Sequence, residues 1–224
     1  MRKVFWDNSY QHDLTTTVTA VNGNEILLAE TIAYSFSGGQ ESDKAFINGC
    51  KVLNSKMVEH LIYYTLPEGH GLAVGDQVKM EIDWPRRHRL MRLHFAAELV
   101  LEIVTQHFQL EKTGAHISEE KARIDFRYTK NISCLFEIIL GEYNKIIQEN
   151  KPIQTGYSDV QNQRRFWKID GFAQVPCGGT HVKSTTEVGF VTLKRVNAGK
   201  FNERIEIKLV DDSVPSSPSS LHKI

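Results

Sequence analysis

The chain has 224 residues with 27 acidic and 27 basic side chains, and 41% of its residues are hydrophobic. This length suits one large or two small domains. No apolar run approaches the roughly 20 residues that a membrane-spanning helix needs, and the first residues carry no apolar signal-peptide core. We therefore expect neither a membrane protein nor a secreted one. The zero net charge argues against a general nucleic-acid-binding protein, because such proteins are normally basic.

The cysteines indicate the cellular compartment. There are three, at positions 50, 134 and 177, and their spacing forms no paired disulfide pattern. Unpaired cysteines fit a reducing environment. We expect a cytoplasmic protein.

Residues 1–84 have the pattern of a β domain. Thr15–Val21 is rich in β-branched residues, and Asn22-Gly23-Asn24 is a hairpin signal before Glu25–Ala29. Further strands are predicted at 31–36, 45–53, 60–65 and 77–83. Many short strands separated by turns are typical of a small β-barrel.

A long helix follows. Pro85 suits the first position of a helix, and no helix-breaking residue occurs before about Phe108. The helical period places Leu90, Leu93, Ala97, Leu101, Val104 and Phe108 on one apolar stripe. His94 lies on the shoulder of this stripe with Glu98 one turn later, so both could point at one metal ion. The structural alternative is an ordinary surface pair.

Four arginines crowd the start of this helix, namely Arg86, Arg87, Arg89 and Arg92. No acidic residue accompanies them locally, and cations are unfavourable at the positive end of a helix dipole. A phosphate partner would relieve them, which predicts contacts with the backbone of a nucleic acid. The alternative is a solvated face with downstream carboxylates nearby.

The rest of the chain alternates strands and a helix. A strand is predicted at 121–128, and Asn131 is a candidate N-cap for an amphipathic helix ending near Asn150. Strands follow at 153–157, 166–169, 188–196 and 205–210. The prediction is an α+β fold: a β-barrel domain over 1–84, an α+β domain over 85–212 and a Ser/Pro-rich disordered tail over 213–224.

The segment Cys177-Gly178-Gly179-Thr180-His181 combines a thiol and an imidazole four positions apart. Cysteine and histidine are preferred zinc ligands, and zinc takes about four of them. On its own the pair could equally be a buried free cysteine near a core histidine. His94 and Glu98 would complete a four-ligand set. The rival ligand His88 would face away from His94 around the helix.

Three segments carry a family resemblance: WPRRHRLMRLH at 84–94, CGGTHV at 177–182 and FNERI at 201–205. In these the chain resembles the AlaX family, free-standing relatives of the editing domain of alanyl-tRNA synthetase. The resemblance implies a β-barrel ahead of an α+β editing domain and one zinc ion held by His94, Glu98, Cys177 and His181. Glu98 stands where the family has a second histidine. It therefore serves either as a substitute ligand or as a sign of weakened metal binding or altered substrate choice.

The resemblance also implies a substrate pocket. The turn of Gly38, Gly39 and Gln40 occupies the place of a family glycine-rich motif that reaches the amino-acid pocket, although it could be an ordinary tight turn. Phe95 stands where threonine is common, and a larger side chain there would favour a smaller aminoacyl group.

The implied activity is trans-editing: hydrolysis of mischarged tRNA(Ala), carrying serine or glycine, at its acceptor end and without ATP. Glu98 is the candidate general base if it is not a metal ligand, and the amides of Gly178, Gly179 and Thr180 could cradle the oxyanion. The oligomeric state, monomer or homodimer, is left open. Two alternatives remain: a non-catalytic tRNA-binding relative with a degenerate metal site, and a domain that zinc stabilises only structurally.

Overall fold

The computed structural model describes residues 1–210. The predicted disordered tail at 213–224 lies outside the described residues. The elements of the first 84 residues are, in chain order, β1 (Arg2–Lys3), α1 (Val4–Asp7), β2 (Asp13–Asn22), β3 (Glu25–Leu28), β4 (Glu30–Thr31), β5 (Ala45–Ile47), β6 (Cys50–Lys51), β7 (Asn54–Val58), β8 (Leu61–Thr65) and β9 (Gln77–Ile82).

The elements that follow are α2 (Trp84–Phe108), β10 (Lys112–Ile117), β11 (Ala122–Arg127), a 3-10 turn (Ile132–Leu135), α3 (Phe136–Gln148), β12 (Gln154–Asp159), β13 (Arg164–Ile169), β14 (Ala173–Pro176), α4 (Thr185–Val188), β15 (Val191–Asn197) and β16 (Asn202–Leu209). The predicted α+β class is confirmed.

Seven strands of the N-terminal region form one sheet in the order β6-β5-β9-β2-β3-β8-β7. The outer strands β6 and β7 are joined by only two residues. Val52 N donates to Ala45 O at one edge, and Leu53 N donates to Thr65 O at the other. Val52 and Leu53 are adjacent in the chain, yet they bond to strands at opposite sides of the sheet. The sheet must therefore curl to bring its two sides together. Its complete closure into a small barrel stays a prediction.

Some strand predictions need correction. The predicted strand at 45–53 is a hairpin, because Asn48 and Gly49 have positive φ angles of 47° and 77° that suit a tight turn. The predicted strand at 31–36 extends only through Thr31. Beyond it, the amide of Tyr34 donates to Asp43 Oδ2 and that of Phe36 to Ser42 Oγ, so side chains take the place of a neighbouring strand.

The C-terminal region contains two sheets, ordered β10-β11-β16-β15 and β12-β13-β14. The predictions missed β10 and β14 here, and β1 and β7 in the N-terminal region. The predicted strand at 188–196 begins only at Val191, because residues 185–188 form the short helix α4. Asn131 caps a 3-10 turn by accepting a hydrogen bond from Ser133 N, and α3 starts four residues later than expected.

Helix α2 has the predicted bounds, with Asp83 as its N-cap accepting from Arg86 N. It packs against β10, β11, β16, α3 and α4. Burial therefore extends beyond the predicted stripe to residues such as Met91, Phe95 and Ile103. His94 is buried inside this packing, with only 4% of its surface exposed.

The buried apolar side chains form two clusters, one between Val4 and Ile82 and one between Leu90 and Leu209. The predicted domain boundary after residue 84 falls between them and stays a prediction. Among residues 1–210, no helix combines the length and apolar character needed to cross a bilayer.

Candidate metal centre and its surroundings

Three of the predicted ligands meet in space. His94, Cys177 and His181 each offer one donor atom, and these atoms lie within 4.8 Å of one another. His94 Nε2 is 3.2 Å from Cys177 Sγ, which is 3.3 Å from His181 Nε2. Two imidazole nitrogens and one sulfur are a donor set that zinc accepts.

The two halves of this group come from different elements. His94 projects from the middle of α2, while Cys177 and His181 flank the loop after β14. A Cβ atom on Gly179 would lie 2.3 Å from His94 Cε1 and 2.6 Å from Nε2. Real Cβ atoms do not approach other atoms so closely, so glycine is required here for the loop to pass over the imidazole.

The protonation states follow from burial. Burial lowers the pKa of both His94 and His181, and the neighbouring His94 lowers the pKa of His181 further. Both rings are therefore neutral near pH 7, the form in which imidazole binds metal. Burial, with the charge of Glu98, raises the pKa of the Cys177 thiol, so a bound cation must displace its proton.

One atom of the group has no partner. His94 Nδ1 is buried without a hydrogen bond among the described residues. Buried polar atoms are usually paired. Leaving His94 Nδ1 unpaired costs free energy, and the packing around the ring must offset this cost to keep Nε2 turned toward Cys177.

Glu98 lies beside the three-donor group and outside it. Its Oε1 is 3.8 Å from His94 Nε2, and its Oε2 accepts a hydrogen bond of 2.7 Å from Trp167 Nε1. Trp167 is buried on β13, where alternation places Arg165, Trp167 and Ile169 on one face. The sequence predictions missed this partner, because Trp167 is 69 positions from Glu98 and no local pattern joins them.

The glycine turn reaches the loop of the site through Gln40. Gln40 Nε2 donates to Thr180 Oγ1 at 2.9 Å, and Thr180 N donates to Gln40 Oε1 at 3.3 Å. Gly39, at φ +88°, packs so closely on β10 that a Cβ would lie 2.8 Å from Ala115 O. Gly38 is exposed, and a Cβ added there would meet open space.

Phe95 is fully buried next to the donor group. Its ring is 5.5 Å from that of His181 and 5.1 Å from that of Trp167, both in edge-on arrangements. The side chain therefore forms part of the wall behind the site.

Two of the three amides predicted to bind the oxyanion already donate hydrogen bonds within the protein. Thr180 N is bonded to Gln40, and the amide of Gly179 bonds the Cys177 sulfur and lowers its pKa against the effect of burial. The oxyanion role of Gly178, Gly179 and Thr180 stays a prediction.

The N-terminal segment also holds the loop, which the sequence did not indicate. Trp6 Nε1 donates to Gly178 O, and Ser9 Oγ donates to His181 O, both at 2.8 Å. Arg165 Nη2 donates to Trp6 O at 2.9 Å. These contacts span more than 150 residues of sequence, so no local pattern could have revealed them.

The first two members of the arginine run are neutralised within the protein. Arg86 donates to Glu41 Oε2 at 2.6 Å and lies 3.1 Å from Glu119, and Arg87 forms a fully buried ion pair with Asp43. These carboxylates come from distant parts of the chain, two upstream of the helix and one downstream. Contacts of the arginine run with tRNA stay a prediction.

The other members of the arginine run also have protein partners. Arg89 Nε donates to Glu119 O, and Arg92 Nε donates to Val188 O. His88, the rival ligand, bonds Glu187 Oε1 at 2.9 Å and lies outside the donor group.

Comparison with known proteins indicates the family of the chain. The chain is 34% identical over 213 residues to the alanyl-tRNA editing protein AlaX-M of Pyrococcus horikoshii, covering 93% of this chain and 97% of that protein. It is 30% identical over 229 residues to AlaX-M of Saccharolobus solfataricus, covering 91% and 96%. Alanine–tRNA ligase of Sulfurisphaera tokodaii matches 91% of this chain at 27% identity, but only 25% of the ligase is covered.

No protein-family model matches the chain. The similarity to AlaX-M nevertheless runs through nearly the whole of both proteins at more than 30% identity. The predicted resemblance is confirmed, and the chain belongs to the AlaX family of alanyl-tRNA editing proteins.

Proposed function

We propose that this protein is a trans-editing hydrolase that removes serine, and also glycine, from mischarged tRNA(Ala). The observation that carries the proposal is the buried group of His94, Cys177 and His181 in a chain of the AlaX family. The bond broken is the ester between the amino acid and the terminal ribose. Hydrolysis of this ester is favourable, so the reaction needs no ATP.

His94, Cys177 and His181 would hold one zinc ion. When bound, it would act as a Lewis acid toward the ester or fix the amino group of the substrate. The fit rests on the two neutral imidazoles, the thiol between them and the glycine that admits the His94 ring. Three protein ligands leave room for a fourth, which is the arrangement typical of catalytic zinc.

Glu98 is assigned as the general base rather than as the fourth ligand. Trp167 holds one of its oxygens, while the other faces the donor group from 3.8 Å away. The carboxylate would take a proton from the attacking water and return it to the departing ribose oxygen. General-base catalysis of this kind contributes about 10²–10⁴-fold in rate.

Two residues are proposed to shape the aminoacyl pocket. Gln40 fixes Thr180 with two hydrogen bonds, and Phe95 fills the space behind His181. A synthetase pocket that selects alanine cannot easily exclude glycine, which is smaller, and discriminates only modestly against an isostere with an added hydroxyl, so these are the expected mischarged products. This supports both serine and glycine as substrates.

The test is release of serine from Ser-tRNA(Ala) by protein as purified, after zinc is stripped, and after zinc is restored. We expect activity to fall and return. Cys177→Ser should lose both zinc binding and activity. Cys134→Ser is the matched control, because Cys134 is exposed and lies outside the donor group. This variant should behave as the parent. Hydrolysis that is indifferent to zinc and to Cys177→Ser would refute the metal assignment.

Glu98→Gln separates the two roles of this residue. The glutamine oxygen can still accept from Trp167, while the charge is removed. We expect kcat to fall by about 10²-fold or more, with zinc affinity within threefold of the parent. If the zinc affinity of this variant fell tenfold or more, Glu98 would instead be identified as a ligand. If neither parent nor variant hydrolyses an aminoacyl-tRNA yet both bind it, the protein is a non-catalytic relative.

A further inference from the structure

Two adjacent residues of the N-terminal segment hold the backbone around His181. Ser9 Oγ donates to the carbonyl of His181 at 2.8 Å. Tyr10 Oη accepts a hydrogen bond of 3.0 Å from the backbone amide of Lys183. One short segment therefore fixes the carbonyl of a ligand residue and an amide two positions later, although the bonded pairs are 172 and 173 positions apart. Both holding residues lie outside the donor group.

The carboxylate of Glu187, on α4, fixes Tyr10 in this place. Tyr10 Oη donates to Glu187 Oε2 at 2.5 Å, and the amide of Lys183 lies 3.2 Å from the same oxygen. Burial and the bond to Glu187 raise the pKa of the Tyr10 hydroxyl, so it keeps the proton that it donates. Burial alone would raise the pKa of Glu187, but the hydrogen bonds of Tyr10 and His88 lower it, so the carboxylate is ionised near pH 7. Hydrogen bonds to an ionised acceptor are about twice as strong as neutral ones.

Helix α2 anchors this network. His88 Nε2 lies 2.9 Å from Glu187 Oε1, and because an ionised carboxylate only accepts, the proton of this bond belongs to His88. One residue earlier in α2, Arg87 Nη1 donates to the carbonyl of Ser9 at 3.2 Å, and the Arg87 side chain is fully buried. His94 projects from the same helix, less than two turns after His88. The network therefore connects the helix that carries one donor to the loop that carries the other two.

This connection matters because the donor group is divided between two elements. His94 belongs to α2, whereas Cys177 and His181 belong to the segment after β14. Functional groups need placement within about 0.5 Å, and residues that orient metal ligands typically contribute about 10–100-fold to metal affinity. Hydrogen bonds that tie the loop to the helix thus bear directly on the separation of the donors, which is 3.2 Å between His94 Nε2 and Cys177 Sγ.

We propose that a clamp of four residues positions the loop donors at the correct distance from His94 for a metal ion. The clamp consists of Ser9, Tyr10, Glu187 and His88. This role rests on the zinc site of the proposed function, and it extends that function to residues outside the donor group. The clamp acts through the backbone of the loop, so its members are positioning residues and take no part in bond breaking. The alternative is that these contacts only stabilise the fold, which predicts unchanged metal binding when one of them is removed.

The test removes single hydroxyl groups from the clamp. Tyr10→Phe keeps the aromatic ring, whose centre lies 5.5 Å from that of Trp84 and 4.4 Å from Lys183 Nζ. The variant therefore loses the hydrogen bonds of the hydroxyl and retains the packing of the ring. Tyr63→Phe is the matched control, because Tyr63 lies on β8 with Lys56 Nζ 5.7 Å from its ring and does not belong to the clamp.

A second pair of variants tests the same loop from Ser9. Ser9→Ala removes the donor to the His181 carbonyl, and Ser9→Thr keeps a hydroxyl at that position. For every variant of the full chain, zinc affinity is measured by competition with a chromophoric chelator. The absorption spectrum of the cobalt-substituted protein reports the geometry of the ligands, and thermal melting of the metal-free protein reports the stability of the fold.

We expect Tyr10→Phe and Ser9→Ala each to weaken zinc binding at least about fivefold and to change the cobalt spectrum. Zinc affinity in Tyr63→Phe and Ser9→Thr should stay within about twofold of the parent. Glu187→Gln should also weaken zinc binding, because its amide NH2 group would face one of the three donors around the carboxylate. Tyr10 and Glu187 act through one chain of contacts, so the double variant should weaken zinc binding by less than the product of the two single effects.

A Tyr10→Phe variant that melts at a lower temperature but binds zinc and cobalt as the parent does would overturn the proposal, because the clamp would then only stabilise the fold. Equal weakening by Tyr10→Phe and Tyr63→Phe would also overturn it, as would a parent that binds neither metal. Release of serine from Ser-tRNA(Ala) is measured separately. A parent that binds zinc in a clamp-dependent way but never deacylates would leave the clamp standing and remove the editing activity. A deacylase whose clamp variants bind zinc normally would do the reverse.

Discussion

Substitution of Gly179 by alanine should damage the metal site without unfolding the protein. The new Cβ would lie 2.3 Å from His94 Cε1, 2.6 Å from Nε2 and 3.0 Å from Nδ1. Carbon atoms in contact are normally about 3.5 Å apart. The loop and the imidazole would therefore have to separate by about 1.2 Å.

Neither side can move freely by that amount. His94 is buried in α2, and the loop is held by hydrogen bonds from Trp6, Ser9 and Gln40. Functional groups need placement within about 0.5 Å, and disturbing the residues that orient metal ligands typically costs 10–100-fold in affinity. We expect zinc affinity to fall by at least tenfold, which corresponds to about 1.4 kcal/mol. Overpacking should also lower the free energy of unfolding by about 1–3 kcal/mol.

Gly178→Ala is the control for this prediction. Its Cβ would meet only Trp6 Cζ2, at 4.0 Å, which is ordinary contact. Zinc affinity would be measured by competition with a chromophoric chelator, and folding by thermal melting. Affinity in Gly178→Ala should stay within threefold of the parent. If Gly179→Ala binds zinc as the parent does, or if both alanines weaken it equally, the steric reasoning is wrong.

Three further predictions follow from buried contacts. Arg87→Met should lower the free energy of unfolding by about 3–5 kcal/mol in urea titrations, because it leaves the buried Asp43 carboxylate without its cation. Adding Asp43→Asn to this variant should recover part of the loss. An Arg87→Met variant as stable as the parent would contradict the reasoning. The hydrogen bond from Arg195 lowers the pKa of Glu203 below its ordinary value of 4.5, so this stabilisation is present above that value and is lost as pH falls through the folded-state pKa. The Tm difference between the parent and Glu203→Gln should therefore be fully present above pH 4.5 and shrink as the pH is lowered further, and a difference independent of pH would count against it. Phe95→Thr should shift the ratio of kcat/KM values toward seryl over glycyl substrate, because it empties space behind His181; an unchanged ratio would remove Phe95 from the pocket.

Local sequence patterns predicted the elements that depend on local interactions. Pro85 predicted the start of α2 to within one residue, and an apolar repeat without breakers predicted its length; the Asp83 cap came from the structure. The hairpin at Asn22-Gly23-Asn24 follows from turn chemistry. Where backbone amides find side-chain partners, as between Tyr34 and Asp43, the same reasoning failed. A strand needs a neighbouring strand, and the sequence does not say which neighbour is present.

The sequence by itself singled out His94, Glu98, Cys177 and His181 as candidate ligands, from their chemistry and from the family resemblance. The tertiary structure brings three of them together. Only the tertiary structure decided what surrounds them. Glu98 is turned by Trp167, and the loop is held by Trp6, through contacts between residues about 70 and 172 positions apart. The carboxylates that neutralise Arg86 and Arg87 likewise come from distant segments. Charge pairing and steric fit depend on distance in space, and that distance is set only when the sheets and α2 pack together.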